Sequence, residues 1–142
     1  MHRILIVDDK EDACPILLKL LTAEGYEVVR AIGGAEALRK LLISRPHLMI
    51  LDMKLSPISG FEVCRAVKSS FSFHSLPVLM ISVHSKLDFF LRARSVNVGA
   101  EEIIFKPIGA GELLTRVKKY LHKNKLARTK PGRLNYPPAV GE

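Results

Sequence analysis

The chain is poor in cysteine: Cys14 and Cys64 form neither a pair motif nor a metal-ligand spacing. A disulfide framework is thereby excluded, and a reducing, cytoplasmic setting is expected. Long apolar runs are absent too. Nothing approaches the roughly 18–20 residues of a membrane span, and the opening MHRILIVDD lacks the basic-then-apolar pattern of a signal peptide. No membrane partner is therefore expected. Acidic side chains are in short supply, 14 against 22 Lys and Arg, which leaves a net charge of +8. Taken whole, that balance hints at nucleic acid or an anionic surface.

The position of the charge removes most of the hint. Residues 118–142 carry seven basic side chains and one acid, so this segment holds +6 and the remainder only +2. From about 123 the apolar periodicity stops in KNKLARTKPGRLNYPPAVGE, which reads as a basic, proline-containing linker or tail. The folded unit is expected over about 1–122. At 48% hydrophobic residues it can bury a sizeable core, which excludes a wholly disordered chain. A nearly neutral unit without a helix-turn-helix pattern is not expected to bind nucleic acid directly.

Short apolar runs alternate with helix-period segments. Strands are expected at Ile4–Val7, Tyr26–Val29, His47–Asp52, Pro77–Ser82 and Glu102–Phe105. Between and after them lie helices from about Pro15 to Gly25, over 35–43, near 60–69, at 86–97 and over 110–122. Strict alternation implies an α/β fold: a doubly wound, five-stranded parallel sheet with helices on both faces. In such a sheet the functional crevice lies outside the carboxyl ends of the strands.

Polar residues close four of those strands. Asp8 and Asp9 follow the first, Asp52 ends the third, Ser82 the fourth, and Lys106 follows the fifth. Three carboxylates brought together repel one another unless a cation sits among them. Oxygen-only donors suit a hard divalent ion such as Mg2+ or Mn2+, and neither His nor Cys stands at these positions to draw zinc. With the Lys106 ammonium and the Ser82 hydroxyl, the set describes a place to hold a dianionic phosphoryl group on a carboxylate oxygen.

ILIVDD at 4–9, GYEV at 25–28, LMILDMKL with GFEVCR over 48–65, PVLMIS at 77–82 and GAEEIIFKP at 99–107 follow one another at domain spacing. In these motifs the sequence resembles the receiver domain of bacterial two-component response regulators, which has the flavodoxin-like fold with strand order 2-1-3-4-5. The resemblance implies Asp52 as phosphoacceptor from the phosphohistidine of a sensor histidine kinase or phosphotransfer protein. It implies Mg2+ on Asp9, Asp52 and the backbone carbonyl of Lys54, with Asp8 acting through water. Ser82 and Lys106 would hold phosphoryl oxygens, and Lys106-Pro107 would be a cis peptide. The last two helices and the fifth strand would form the output surface for a downstream domain or protein, with a phosphorylation-dependent homodimer as another partner. A phosphorylation-independent interaction module is the alternative.

The sequence departs from the family pattern in places. Ile103 stands where an aromatic is usual, three positions before Lys106, and Ser56 stands where proline is frequent, with Pro57 one later. The stretch from Ser82 to Lys106 is about two residues longer than usual. Lys54 and His84 occupy positions that tune phosphoryl lifetime in the family; side chains that simply point into solvent are expected here, shielding of the aspartyl phosphate from water being the alternative. Elsewhere bland roles are expected: Asp12 as a helix cap, Cys14 and Cys64 as small apolar helix residues, and His2, His47, His74 and His122 at surfaces or turns. Phe89 and Phe90 are adjacent on one helix, where simple core burial is expected; the alternative is that one of them faces outward and marks a partner surface.

Overall fold

The computed structural model describes residues 1–9, 14–83 and 87–127. Asp12, His84 and residues 128–142 lie outside the described residues, as do the side chains of Cys14 and Phe89. Ten elements alternate strictly: β1 (Arg3–Val7), α1 (Cys14–Ala23), β2 (Glu27–Ala31), α2 (Gly34–Ser44), β3 (Leu48–Asp52), α3 (Gly60–Ser69), β4 (Val78–Val83), α4 (Asp88–Asn97), β5 (Glu102–Lys106) and α5 (Ala110–Ala127). The strands pair in parallel in the order β2-β1-β3-β4-β5. This is the expected fold and strand order.

The period-2 geometry of each strand sorts its side chains between two cores. Ile4 and Ile6, Leu48 and Ile50, Leu79 and Ile81, and Ile104 face one side, where α1 and α5 contribute Leu21, Leu113, Val117 and Leu121. Leu5 and Val7, Met49 and Leu51, Val78 and Met80, and Ile103 and Phe105 face the other, against Ala37 and Leu41 of α2 and Phe61, Val63, Cys64 and Val67 of α3. Both faces are covered, which is why the strands read as continuous apolar runs.

The element ends follow local chemistry. Gly25 takes φ 89 after α1, as its place as a C-cap requires. Ser59 and Glu62 form a reciprocal capping box at the start of α3, an S-x-x-E signal visible in the sequence. Most ends fall within one or two residues of those expected, and two of the shifts are notable. β2 runs on to Ala31 because its whole length pairs with β1, and α5 continues to Ala127 rather than ending near 122. Pro15 sits in the first turn of α1, where its missing N–H is tolerated. Lys106-Pro107 is cis, as the resemblance implied, and so is Ser56-Pro57.

α4 is fastened to the domain partly by stacking. The Arg92 guanidinium lies 5.1 Å from the centre of the Phe105 ring, and that of Arg94 lies 4.2 Å from Phe61. Phe90 is 67% exposed and faces outward rather than into the core as expected, because a helix cannot bury two adjacent residues on one narrow stripe.

Candidate functional site

The parallel order places β1, β3, β4 and β5 side by side with their carboxyl ends on one edge. β1 ends directly before Asp8, whose N–H donates to the Ala31 carbonyl at 3.0 Å and so carries the ladder one step past the strand. Asp8 is 7% exposed, while Asp9 beyond it faces solvent. Asp52 closes β3 and is half-buried; its Oδ1 accepts the Lys54 N–H at 2.9 Å. The three carboxylates offer oxygens that all lie within 4.8 Å of one another. Like charges gathered that closely repel one another. A cluster of oxygen donors alone, gathered against this repulsion, fits a hard divalent cation such as Mg2+ or Mn2+.

Ser82 and Lys106 complete the edge. Ile81 pairs with Asp52, so Ser82 lies one residue beyond the carboxylate on the neighbouring strand. Ser82 is 3% exposed, and its hydroxyl donates a long 3.4 Å hydrogen bond to the Val83 carbonyl. Lys106 pairs with Val83 in the register and lines the same groove as Asp8 and Asp52. All five residues singled out from the sequence thus stand at this edge. Lys54 is exposed, and its N–H is engaged by Asp52.

The loop after β3 is held close by Gly60. A Cβ at this position would lie 2.4 Å from the Asp52 carbonyl oxygen and 2.8 Å from the Met53 Cα. Only glycine lets α3 begin this near the strand end, and its N–H donates to the Met53 carbonyl at 3.1 Å. Met53 in turn donates to the Ile81 carbonyl at 2.9 Å, tying the Asp52 loop to β4. Gly60 opens the GFEVCR motif, but the requirement for glycine there is set by a tertiary approach that the local sequence does not show.

Phe105 was passed over in the sequence reading. Ile103 is buried on the α2–α3 side of the sheet, and strand alternation puts Phe105 on that same side, directly opposite Ser82. The aromatic ring nearest Ser82 along β5 therefore comes from two residues further on than usual. The period-2 pattern was the signal that could have found it.

A family model for the response regulator receiver domain matches residues 4–118. The chain belongs to this family. The receiver domain is 33% identical over 125 residues to the alkaline phosphatase synthesis transcriptional regulatory protein PhoP of Bacillus subtilis, covering 88% of this chain and 50% of that protein. It thus spans about half the length of the curated relatives it matches first. Among solved structures, a putative response regulator from Chloroflexus aurantiacus superposes with a TM-score of 0.80 at 34% identity, covering 85% of this chain and 98% of that one. Chemotaxis protein CheY4 of Vibrio cholerae gives 0.77 at 28% identity, over 84% and 98% of the two chains. Receiver domains are signalling domains of two-component systems rather than conventional enzymes. Among the described residues, no helix is long and apolar enough to cross a membrane.

Proposed function

We propose that this receiver accepts a phosphoryl group on Asp52 from the phosphohistidine of a sensor histidine kinase or phosphotransfer protein. The observation that carries the reading is the convergence of Asp8, Asp9 and Asp52, with oxygens within 4.8 Å, beside Ser82 and Lys106 at neighbouring strand ends. An Asp52 carboxylate oxygen attacks phosphorus and forms the new P–O bond. The P–N bond to the donor histidine breaks, and its electron pair returns to the imidazole nitrogen. Asp9, Asp52 and the Lys54 carbonyl would hold Mg2+ or Mn2+, with Asp8 acting through water; the bound cation supplies charge neutralisation. Lys106 balances charge on a phosphoryl oxygen, and the Ser82 hydroxyl turns from the Val83 carbonyl to donate to another.

The domain would catalyse both its own phosphoryl transfer and the slow hydrolysis of the acyl phosphate by water that resets it. The face of α4, β5 and α5 would carry the output to an attached domain, a downstream protein or a second phosphorylated copy. An attached output domain is supported by the match to one half of a transcriptional regulatory protein. A cytoplasmic location follows from the same reading. The gathered carboxylates argue against the phosphorylation-independent alternative, which has no use for their repulsion.

The test is intact mass after incubation with Mg2+ and phosphoramidate. Wild type gains one phosphoryl group and Asp52→Asn gains none. A wild type that gains nothing in Mg2+ refutes the proposal.

A further inference from the structure

Charge is segregated in this molecule. Three carboxylates gather at the carboxyl edge of the sheet, whereas α5 runs back to the opposite edge, where Lys118 pairs at 3.2 Å with Glu24 in the turn before β2. Up to this point the cations of α5 have acidic partners: Arg116 reaches Glu102 and Glu112, and Lys119 lies 3.9 Å from Glu102. The buried stripe Leu113, Val117, Tyr120 and Leu121 fixes the helix to the sheet. Continued at the same helical spacing, that stripe falls next on Asn124, Lys125 and Arg128. Lys and Arg are hardly ever buried unless paired, so the pattern carries the chain off the core after Leu121. The helix itself runs on to Ala127, which adds about 9 Å beyond that position. Over 123–133 the sequence places Lys123, Lys125, Arg128, Lys130 and Arg133, with no acid between Glu112 and Glu142.

We infer that this basic arm, 123–133, binds the phosphate backbone of duplex DNA without reading its bases. The inference is independent of the role of Asp52. A run of cations without acids complements a dense, regular array of negative charge, and a duplex offers one phosphate per about 1.7 Å of its axis. Single strands are held by stacking on aromatic side chains, and 123–133 has none. A helix lying on a membrane needs an apolar face, and Leu126 is the one large apolar residue of the arm. Position favours the duplex as well. Because α5 leads away from the carboxyl edge, phosphates held on the arm stay clear of Asp8, Asp9 and Asp52, which would repel them.

Fluorescence anisotropy of a labelled mixed-sequence duplex, titrated with the full chain in the absence of Mg2+ and phosphodonor, tests the inference. Five neutralised phosphates give a log–log salt slope of about −4.5, so raising salt from about 25 to about 100 mM should weaken binding about 500-fold. Lys123→Gln combined with Lys125→Gln, on α5 itself, should flatten the slope by about two, and replacing all five cations by Gln should abolish binding. Arg39→Gln combined with Arg65→Gln, two exposed cations on α2 and α3, should leave affinity unchanged. Thermal melts verify that every variant folds.

A wild type that shows no salt-dependent binding reduces the arm to a solvated linker and overturns the inference. Binding that survives replacement of all five cations belongs to the folded unit and overturns it as well. A preference above about tenfold between two unrelated duplexes means that bases are read, against a contact made to phosphates alone. Vesicles of phosphatidylserine and phosphatidylcholine bound in place of the duplex would assign the arm to a membrane surface and likewise refute it.

Discussion

The two edges of the sheet treat charge in opposite ways. At the amino-terminal edge charged side chains have opposite-sign or backbone partners. Arg3 pairs with Glu27 at 2.9 Å and also donates to the Ser44 carbonyl. Its backbone N–H donates to His47 Nδ1 at 2.9 Å, while the His47 N–H returns a bond to the Arg3 carbonyl. Lys68 reaches the Leu76 carbonyl at 2.7 Å and Glu101 at 2.8 Å, and the same carboxylate accepts the Val78 N–H. Glu102 takes Arg116 and the Tyr120 hydroxyl, and burial, followed by this hydrogen bond, pushes the Tyr120 pKa up. At the carboxyl edge the chain gathers three like charges within 4.8 Å of one another, with Lys106 lining the same groove. One edge stabilises the fold, and the other gathers a repulsion of the kind that a cation relieves.

The difference can be broken at several points. The largest effect is expected from Gly60→Ala, which drives a Cβ into the Asp52 carbonyl and the Met53 backbone. A loss of about 3 kcal/mol in chemical denaturation is expected, together with slower gain of phosphoryl mass, because rigid backbone must move. An unchanged midpoint would refute the close approach.

Cys64 sits fully buried near the Lys68–Glu101 pair, and burial pushes its pKa from the usual 9.0 up to about 11. The thiol is easier to ionise in the unfolded chain. Its contribution is therefore complete below about pH 9 and is lost as pH rises to about 11. Wild type should lose about 2 kcal/mol more than Cys64→Ala across that window, measured by urea midpoints at each pH. Parallel curves would contradict the assignment.

One charge-neutralising change tried at each edge sharpens the comparison most directly. Glu101→Gln should cost about 2 kcal/mol, because the Lys68 ammonium keeps its burial and loses its counter-charge. Asp9→Asn should do the reverse in a chelating buffer, raising stability by about 1 kcal/mol as two like-charge repulsions, screened by solvent at this exposed side chain, disappear. Thermal melts read both, and two changes of the same sign would dissolve the distinction between the edges. Adding Mg2+ should raise the melting midpoint of wild type and leave Asp9→Asn nearly unmoved.

Much of this was legible along the chain. Continuous aliphatic runs ending on Asp8, Asp52, Ser82 and Lys106 marked parallel strands and their shared functional edge, since both signals are local. Less legible were features that depend on where a neighbour comes to rest. Gly60 looked like any glycine before a helix, and Phe105 like one more apolar strand residue. The aliphatic groove beside the carboxylates belongs to the same class, because its walls come from helices at opposite ends of the chain.

Composition, period and strand-end chemistry by themselves determined the alternation of elements, the burial of the strands on both faces and the sign of charge at each strand end. They could do so because each depends on neighbours within a few positions. The crossover order β2-β1-β3-β4-β5 decided the rest. Only when β1 lies beside β3 do Asp8, Asp9 and Asp52 come within 4.8 Å, and only when β4 lies between β3 and β5 does Ser82 face Phe105. Repulsion, close backbone approach and a shared cavity are distances between segments, and those exist only once the chain has folded.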